Sequence, residues 1–520
     1  MPRHARTLEF PLRPAERSAA AVARELLRAI RDGLLSAGDW LPSTRALAVE
    51  LGCSRTLIVA AYDRLLAAGY LEGVPGSGTR VCTGATEAAR AGLAPQVGAG
   101  ERAAAQTSGR LDQRYGNPRP GRGLGGGAWA GEAACFTGNG EAGRAGPGHG
   151  DVVGTSVDLT PGHPDAGLLR TSEWRSAWRR AADAMSSLEP WNTRDLPLAG
   201  QLAEHLRTGR GITDARPLLF PGTGPAVGVL RHVVADLPVV MESPCYGAMY
   251  TELRKGAGSA DFVPVDSDGA VVEYLPKRAS LFYTTPAHQY PLGHRMSVQR
   301  RRELVEWARS TNSLIVEDDY DGEFRYGVAP LPALRSIPGA RDHVAYLGTA
   351  SKMLSPDLRV AWLDVPPALR EQVRSAAVHE RLAVPGIVDR ALADFIGTGG
   401  LRRHLVRAGR VYRERRGVLL DALGEVVDGS RILEGFRIVG VDAGLHVTVE
   451  LPGRDDGELV RRLDRRGFRV AALSDYPAAE SVGAAVSGPH TGLVIGYARA
   501  DHGQLRAFAR TLGQELRSEA

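Results

Sequence analysis

The chain has 520 residues, more than one hydrophobic core usually holds, so we expect a small domain joined to a large one, or two to three medium domains. Its formal net charge of +5 permits nucleic-acid binding without demonstrating it. Residues 1–10 lack the apolar core of a signal peptide, and no apolar run is long enough to span a membrane. These features predict a cytoplasmic protein with no membrane partner.

The four cysteines of the chain are scattered and form no C-x-x-C pair. They are Cys53, Cys82, Cys135 and Cys245. This spacing predicts free thiols in a reducing compartment and no metal site.

Three short helices and a hairpin are predicted at the start of the chain. Apolar residues recur at helical spacing over residues 15–36, ending with Leu34. Ser43 and Ser54 are suitable N-caps for a second and a third helix, and Gly52 provides the turn between them. Residues 70–72 and 79–81 then predict two short strands around a glycine-rich turn. Together these elements predict a winged helix-turn-helix.

The run LPSTRALAVELGCSRTLIVAAYDRLLAAGYLEGVPGSGTRV, residues 41–81, closely resembles the winged helix-turn-helix of GntR-type regulators. The resemblance implies a double-stranded DNA operator as the partner, whereas the alternative is that the same polar residues only cap helices and contact solvent. Val59 stands where some relatives place a further arginine. The implied DNA contacts are Arg45, Ser54, Arg55, Thr56 and Gly76.

A change of composition separates this region from the rest of the chain. Residues 84–151 are rich in Gly, Ala, Pro and Arg, and predict a flexible linker. Short apolar strands then alternate with helices, which predicts an α/β domain with a mainly parallel sheet and with ligands at the strand ends. A long helix over residues 387–411, further strands and a final helix predict a smaller α+β lobe. The strands expected are 217–220, 239–242, 280–284, 314–317, 344–347, 360–363, 445–450 and 493–497.

Lysine is nearly absent from the chain, although arginine is abundant. The only lysines are Lys255, Lys277 and Lys352. In YLGTASKMLSPDLRVAWL, Lys352 follows a predicted strand, with Thr349 and Ser351 before it and Arg359 seven residues later. An amine can form a Schiff base with an aldehyde, which a guanidinium cannot, and hydroxyls with an arginine can hold a phosphate.

Carboxylates follow an earlier strand in VEDDYDGEFRY, residues 316–326. An aspartate that pairs with a protonated pyridine nitrogen keeps pyridoxal phosphate an electron sink, and Asp318 is the matching residue. Tyr320 is placed to bond the phenolic oxygen of that cofactor. Asp319 and Asp321 are interpreted as solvent-facing or structural acids.

With PAHQYPLG (286–293) and MESPCYG (241–247), these runs resemble fold-type I aminotransferases, in the variant fused to GntR domains known as the MocR subfamily. The resemblance implies a pyridoxal 5'-phosphate cofactor, with Lys352 as the Schiff-base lysine, Tyr246 stacked on its ring, and backbone amides of Thr223 and Gly224 at its phosphate. The predicted domains are a winged helix-turn-helix (12–83), a linker (84–151), a large aminotransferase-like domain (152–385) and a small C-terminal domain (386–520).

Two departures from that family bear on function. FPGTGPAVGVL (220–230) lacks the Ser/Thr-x-Gly-x-Gln-Gln pattern of the phosphate loop. In GLVIGYAR (492–499), Val494 aligns with the arginine that binds a substrate carboxylate, and Arg499 is the neighbouring candidate.

We therefore expect a homodimeric transcription regulator that senses its cofactor, or an amine or amino-acid effector, and not primarily an enzyme. A working aminotransferase with a DNA-binding appendage, or a degenerate cofactor-free dimerisation domain, are the alternatives. The sequence leaves the operator and the effector open.

Overall fold

The structure, a computed structural model, contains a small N-terminal domain and a large two-lobed domain. It describes residues 12, 19–36, 38–67, 70–74, 78–81, 85, 89, 156–184, 196–255, 259–326, 332–428, 436–478 and 490–518. The predicted linker at 84–151 therefore lies outside the described residues except for Ala85 and Ala89, and so do Cys82 and Cys135.

Three helices and a hairpin make up the N-terminal domain. They are α1 (Ala19–Arg31), α2 (Thr44–Glu50), α3 (Arg55–Ala67), β1 (Leu71–Val74) and β2 (Gly78–Val81). Leu26 of α1, Leu47 of α2 and Ile58 of α3 are fully buried in one apolar core. In the antiparallel hairpin Leu71 pairs with Val81, and both side chains are buried in that same core.

Local capping explains where α2 and α3 begin. Ser43 Oγ accepts a hydrogen bond from the Ala46 amide at 3.1 Å, and Ser54 Oγ accepts one from the Leu57 amide at 3.2 Å. Between the helices Gly52 has a φ of +59°, a left-handed conformation that glycine adopts without steric cost. The predicted helix-turn-helix is confirmed.

An eight-stranded sheet lies at the centre of the large lobe. After β3 (Val157–Asp158), its strands are β4 (Leu218–Phe220), β5 (Val239–Ser243), β6 (Ala260–Asp266), β7 (Gly269–Ala270), β8 (Leu281–Thr284), β9 (Leu314–Asp319), β10 (Val344–Thr349) and β11 (Ala361–Asp364). The strand order is β4-β11-β10-β9-β8-β5-β6-β7. The strands β10, β9, β8, β5 and β6 are parallel, and β11 and β7 run antiparallel to their neighbours. The carboxyl ends of the parallel strands thus meet at one edge.

Helices cover both faces of this sheet. They are α4 (Ser172–Asp183), α5 (Pro197–Gly209), α6 (Thr223–Val233), α7 (Gly247–Arg254), α8 (Val298–Thr311), α9 (Ala350–Met353), α10 (Arg370–His379) and α11 (Gly386–Gly397). Successive strand residues pack on opposite faces: Val240 of β5 belongs to the apolar core that includes Leu304 of α8, and Met241 to the core that includes Leu230 of α6. Burial on both faces explains why these strands are continuous apolar runs.

The small lobe is an antiparallel sheet packed against helices. Its elements are α12 (Gly400–Asp428), β12 (Arg437–Val439), β13 (His446–Glu450), α13 (Asp456–Arg465), β14 (Phe468–Arg469), β15 (Ala471–Ala472), β16 (Gly492–Gly496) and α14 (His502–Ser518). The strand order is β12-β13-β16-β15, and β14 pairs separately with β3. Tyr412 of α12 and Phe508 of α14 are fully buried in its core.

Three expectations from the sequence need correction. The single helix predicted over 387–411 is wrong, because Gly399 adopts a φ of +76° and separates α11 from α12. Leu34, assigned to the inner face of the first helix, is 57% exposed because α1 ends at Arg31. The strand β6 was not predicted. Among the described helices, none combines the length and apolar character that a bilayer crossing requires.

A close contact between β10 and β11 makes a glycine necessary. Gly348 pairs with Trp362, and a Cβ added at Gly348 would lie 2.4 Å from the indole ring. We expect Gly348→Ala to lower the free energy of unfolding by about 1–3 kcal/mol, because the buried ring has to move. In the control Gly409→Ala, on α12, the added methyl group meets nothing within 4 Å. That substitution should raise stability by roughly 0.5–1 kcal/mol through helix propensity. Thermal unfolding measures both, and equal midpoints would contradict the prediction.

Candidate cofactor site and DNA-binding surface

Lys352 lies in the short helix α9, which directly follows β10. Its Nζ donates a hydrogen bond to the Gly162 carbonyl oxygen at 2.8 Å, and the side chain is partly buried. Burial lowers the pKa of Lys352, while the charges of Asp321 and Asp318 oppose this shift. A lowered pKa increases the fraction of neutral amine, which is the nucleophilic form.

Asp318 lies near the carboxyl end of β9 and pairs in register with Leu347 of β10, the strand that leads to Lys352. Its Oδ2 accepts a hydrogen bond from the hydroxyl of Tyr283, on β8. Its Oδ1 is buried and has no hydrogen-bond partner in the described part of the chain. Burial raises the pKa of Asp318 to about 7. An ionised Asp318 would therefore be stabilised by a cationic N–H group placed at Oδ1.

A second cluster lies where α6 begins. Gly222 precedes the helix with a φ of +134°, and a Cβ added there would lie 3.3 Å from Arg359 Nη2. The Arg359 guanidinium thus lies against the first turn of α6, which starts at Thr223 and Gly224. The first amides of a helix have no partner within the helix and favour an anion. Pro225 removes one of these amides.

Thr349 has a structural contact of its own. Its Oγ1 donates to the Val360 carbonyl oxygen at 3.3 Å and accepts from the Ser351 amide at 3.1 Å. The hydroxyl therefore caps α9 and helps to orient the helix that carries Lys352. Ser351 is partly buried in the same helix.

Four partly buried tyrosines pack edge to face beside Asp318. Tyr290 is central, with ring centroids 5.5 Å from Tyr246, 5.7 Å from Tyr320 and 5.4 Å from Tyr476. The hydroxyls of Tyr290 and Tyr476 are 2.9 Å apart. Tyr246 and Tyr320 are candidates that the sequence indicates. Tyr283, Tyr290 and Tyr476 were not predicted, although Tyr290 lies inside the PAHQYPLG motif.

Beside Tyr320 lies a buried group that we call the histidine cluster: His288, Asp321 and His446. The Nδ1 of His288 is 3.0 Å from Asp321 Oδ2 and 3.0 Å from the Tyr320 hydroxyl. The rings of His288 and His446 have centroids 4.9 Å apart. Possible metal-ligand atoms of the three residues lie within 4.8 Å of one another, but Asp321 and Tyr320 already contact His288 Nδ1. The cluster is described most simply by its hydrogen bonds.

Asp319 and Asp321 are both buried, so the solvent-facing interpretation of them is wrong. Asp319 Oδ2 accepts hydrogen bonds from the Arg210 guanidinium and from the Tyr346 hydroxyl, the latter at 2.8 Å. Arg210 also pairs with Glu323 at 2.7 Å. Asp319 is thus a structural acid that pairs with Arg210 and Tyr346.

The position expected to bind a carboxylate is apolar. Val494 of β16 is fully buried and packs with Leu292 and Leu473. Arg499 is about half exposed, and its Nη1 lies 3.3 Å from Asp158 Oδ2. The structure thus pairs the remaining candidate arginine with an acid of the chain itself.

The predicted DNA contacts in the described part of the N-terminal domain lie on its surface. Arg45, Ser54, Arg55 and Thr56 are exposed at the starts of α2 and α3. Arg55 Nε donates to Thr44 Oγ1 at 3.4 Å, which directs the guanidinium across the start of α2. Gly76, the predicted wing contact, lies outside the described residues.

Comparison with known proteins agrees with this two-part organisation. Residues 18–81 match the family of bacterial regulatory proteins, gntR family. Among solved structures, the α-aminoadipate aminotransferase LysN of Thermus thermophilus is 26% identical, with a TM-score of 0.60. That comparison covers 70% of this chain and 92% of LysN. The large domain therefore has the fold of these aminotransferases.

Two curated relatives extend over nearly the whole chain. The pyridoxine biosynthesis transcriptional regulator PdxR of Corynebacterium glutamicum is 29% identical, covering 93% of both chains. The probable rhizopine catabolism regulatory protein MocR of Rhizobium meliloti is 30% identical, covering 94% of this chain and 92% of its own. The chain therefore belongs to the MocR subfamily of GntR-type transcription regulators, in which a DNA-binding winged helix-turn-helix is joined to an aminotransferase-like domain of fold type I.

Proposed function

We propose that the large domain binds pyridoxal 5'-phosphate and that changes in this domain, on exchange of the cofactor or of an amine effector, alter operator binding by the winged helix-turn-helix. The observation that carries the proposal is the buried Asp318 Oδ1, to which no group of the described residues donates, on the strand next to the one that leads to Lys352. When bound, the cofactor supplies an aldehyde and an electron-withdrawing ring.

The described residues fit the separate parts of this cofactor. In the proposal, Lys352 would bind the aldehyde carbon, and Asp318 would pair with the pyridine nitrogen. Tyr320 would donate a hydrogen bond to the phenolic oxygen, and Tyr246 would stack on the ring. The phosphate lies at the start of α6. Its ligands are Arg359, Ser351, Thr349 and the amides of Thr223 and Gly224. Arg359 is exposed and lies against Gly222. The Thr349 hydroxyl already donates to the Val360 carbonyl oxygen, so it has to give up that hydrogen bond in order to donate to the phosphate.

Several residues of the chain prepare this site without touching the cofactor. The Gly162 carbonyl oxygen holds Lys352 Nζ in place. Tyr283 occupies Oδ2 of Asp318, so that Oδ1 is left for the ring nitrogen. Thr349, which the proposal places at the phosphate, also fixes the start of α9 by accepting from the Ser351 amide. Hydrogen bonds of this kind orient the side chains that contact the ligand before the ligand binds.

The residues at the position where the family binds a substrate carboxylate favour a sensor over an enzyme. The buried Val494 offers no charge to a carboxylate, and Arg499 is paired with Asp158. Amino transfer remains a second candidate because of the similarity to LysN, whose structure holds N-(5'-phosphopyridoxyl)-L-leucine. A cofactor-free dimerisation domain is the third. A homodimer is part of the proposal, because fold-type I sites form at a subunit interface and winged helices commonly read paired half-sites.

Lysine scarcity allows a sharp test of the cofactor. We expect the wild-type protein with pyridoxal 5'-phosphate to show a visible absorbance band, and borohydride to label the Lys352 peptide. Lys352→Ala should lose both signals because the other two lysines, Lys255 and Lys277, are exposed and outside the proposed ligand set. Lys255→Ala is the control, since Lys255 is 59% exposed and pairs with Glu252.

The other outcomes of this experiment discriminate among the candidates. Wild-type protein that stays colourless at saturating cofactor would favour the dimerisation domain. Label on Lys255 or Lys277 would contradict the assignment of Lys352. Sustained amino transfer from an amino acid to a keto acid would favour the enzyme.

The raised pKa of Asp318 predicts a pH dependence of stability in the cofactor-free protein. Burial raises this pKa from 3.8 to about 7, so the folded chain holds a proton that the unfolded chain has released. Stability is therefore lost as pH rises from about 4 to 7, by up to about 4 kcal/mol relative to Asp318→Asn, which cannot titrate. The exposed Asp236→Asn is the control. Urea unfolding at pH 5 and pH 8 gives the free energy of unfolding of the wild-type protein and of Asp318→Asn. If the difference between the two proteins is the same at both pH values, the prediction is refuted.

The recognition-helix assignment is tested on the operator DNA. Arg55→Ala should weaken binding roughly 5- to 150-fold, the range expected for one lost base or phosphate contact. The cofactor spectrum should not change, because Arg55 lies in the other domain. Arg278→Ala, at a 63% exposed arginine of the large domain, is the matched control. Fluorescence anisotropy with the DNA upstream of the gene gives the affinity, and unchanged binding by Arg55→Ala would remove this residue from the interface.

A further inference from the structure

The histidine cluster touches a proposed cofactor ligand but is not explained by cofactor binding. Tyr320 OH lies 3.0 Å from His288 Nδ1, and the two carboxylate oxygens of Asp321 lie 3.0 and 3.2 Å from the same nitrogen. Tyr320, His288 and Asp321 all belong to the large lobe, and His288 and Asp321 are almost completely buried. Two groups therefore compete for one nitrogen atom.

The chemistry of these groups decides which one donates. Burial raises the pKa of Asp321, and its contact with His288 opposes that shift. When Asp321 is ionised, its carboxylate only accepts hydrogen bonds, so the Nδ1 that faces it carries a proton. A protonated Nδ1 cannot accept from Tyr320, and the hydroxyl oxygen of Tyr320 is its second acceptor. The hydroxyl proton of Tyr320 is then directed away from His288.

We propose that His288, oriented by Asp321, is a positioning residue that directs the Tyr320 hydroxyl proton towards the phenolic oxygen of the cofactor. The inference rests on the proposed cofactor site and adds residues that act through Tyr320 without touching the cofactor. A hydrogen bond donated to that oxygen stabilises its ionised form.

Both lobes hold the His288 ring in the required orientation. Gly444 has a φ of +73°, and a Cβ there would lie 2.2 Å from His288 Cε1 and 2.5 Å from Asp321 Oδ2. From the small lobe, His446 packs against the ring, and its Nε2 donates to the Pro291 carbonyl oxygen at 3.0 Å. The ring of His288 is thus fixed by packing as well as by Asp321.

Charges of both signs surround the ring. Beyond Asp321, Tyr320 and His446, a small cavity beside His288 is lined by Arg210, Arg295, Arg301, Glu317, Asp319 and Arg325. Lys352 acts electrostatically on both Asp318 and His446. Asp321 is the charged group in hydrogen-bond contact with His288 Nδ1, and this contact sets where the His288 proton lies.

The first arm of the test uses the full-length protein without cofactor. Nitrogen-15 NMR of labelled histidine should show a protonated Nδ1 on His288, assigned by its loss in His288→Phe. Tyr320→Phe should keep that proton, and Asp321→Asn should lose or shift it. A bare Nδ1 in the wild-type protein would mean that Tyr320 donates to His288, and would overturn the proposal whether or not the cofactor binds.

The second arm follows the absorbance of the lysine-linked cofactor against pH. Tyr320→Phe should raise the titration midpoint by about one pH unit, a tenfold change in proton affinity, because the ionised oxygen loses a donor. His288→Phe and the milder Asp321→Asn should shift it in the same direction. Adding His288→Phe to Tyr320→Phe should change nothing further, since both act through one hydroxyl.

The results test this inference separately from the proposed function on which it rests. A wild-type protein without the absorbance band contradicts the proposed function, while the NMR arm still decides the role of His288. Additive midpoint shifts in the double variant would show that His288 acts independently of Tyr320 and would overturn the inference. Binding of one equivalent of Zn²⁺ that is lost in His446→Phe would also overturn it, because the cluster would then be a metal site.

Discussion

The candidate site depends on the parallel pairing of β9 with β10. This register places Asp318 opposite Leu347, five residues before Lys352. Asp318 belongs to β9, and Lys352 belongs to α9, the helix that directly follows β10. Only parallel pairing brings the carboxyl ends of β9 and β10 to one edge, with β8 on the other side of β9 supplying Tyr283. Asp318 and Lys352, which are far apart in sequence, can therefore contact one ligand.

Burying Asp318, Asp319 and Asp321 at that edge has a large electrostatic cost, and each is compensated differently. Asp319 is paired with Arg210, Asp321 with His288, and Asp318 with the neutral hydroxyl of Tyr283. Among these three, Asp318 is the one whose hydrogen-bond and ion-pair partners in the described part of the chain include no basic side chain. Asp319 Oδ1 also has no hydrogen-bond partner in the described part of the chain, but the other oxygen of Asp319 is paired with Arg210. Asp318, which has no such cationic partner among the described residues, is the one proposed to meet the pyridine nitrogen, as expected for a site that gains stability from its ligand.

The boundary between the lobes passes close to these groups. His446 of β13 contacts His288, and His446 and Thr448 both donate to the Pro291 carbonyl oxygen. Cys245 of the large lobe donates its amide to Pro477 of the small lobe. A change in the position of the small lobe would therefore alter contacts beside Tyr320 and Tyr246. These contacts give a regulator a physical route from an occupied site to a change in lobe arrangement.

Local sequence was sufficient for most of the helices and parallel strands and for the chemistry of individual residues, although strands such as β6 and β7 were not predicted. Ser43, Gly52 and Ser54 specify the ends of two helices through interactions within four residues, and the apolar runs of the parallel sheet identify its strands because both faces are buried. Lys352, Asp318 and Tyr320 were identifiable as candidates because few residue types can perform their proposed chemistry. The break at Gly399 was missed, since apolar periodicity continues through it.

Tertiary structure alone decided the partners. Nothing near Asp318 in sequence indicates Tyr283, 35 residues away, and nothing near His288 indicates His446 on another lobe. The burial of Asp319 and Asp321 was equally invisible, because their compensating groups, Arg210 and His288, come from distant elements. Residue identity and short-range spacing therefore determined which side chains could do chemistry, whereas strand pairing and lobe packing determined which of them meet, because contacts between distant elements depend on the whole fold.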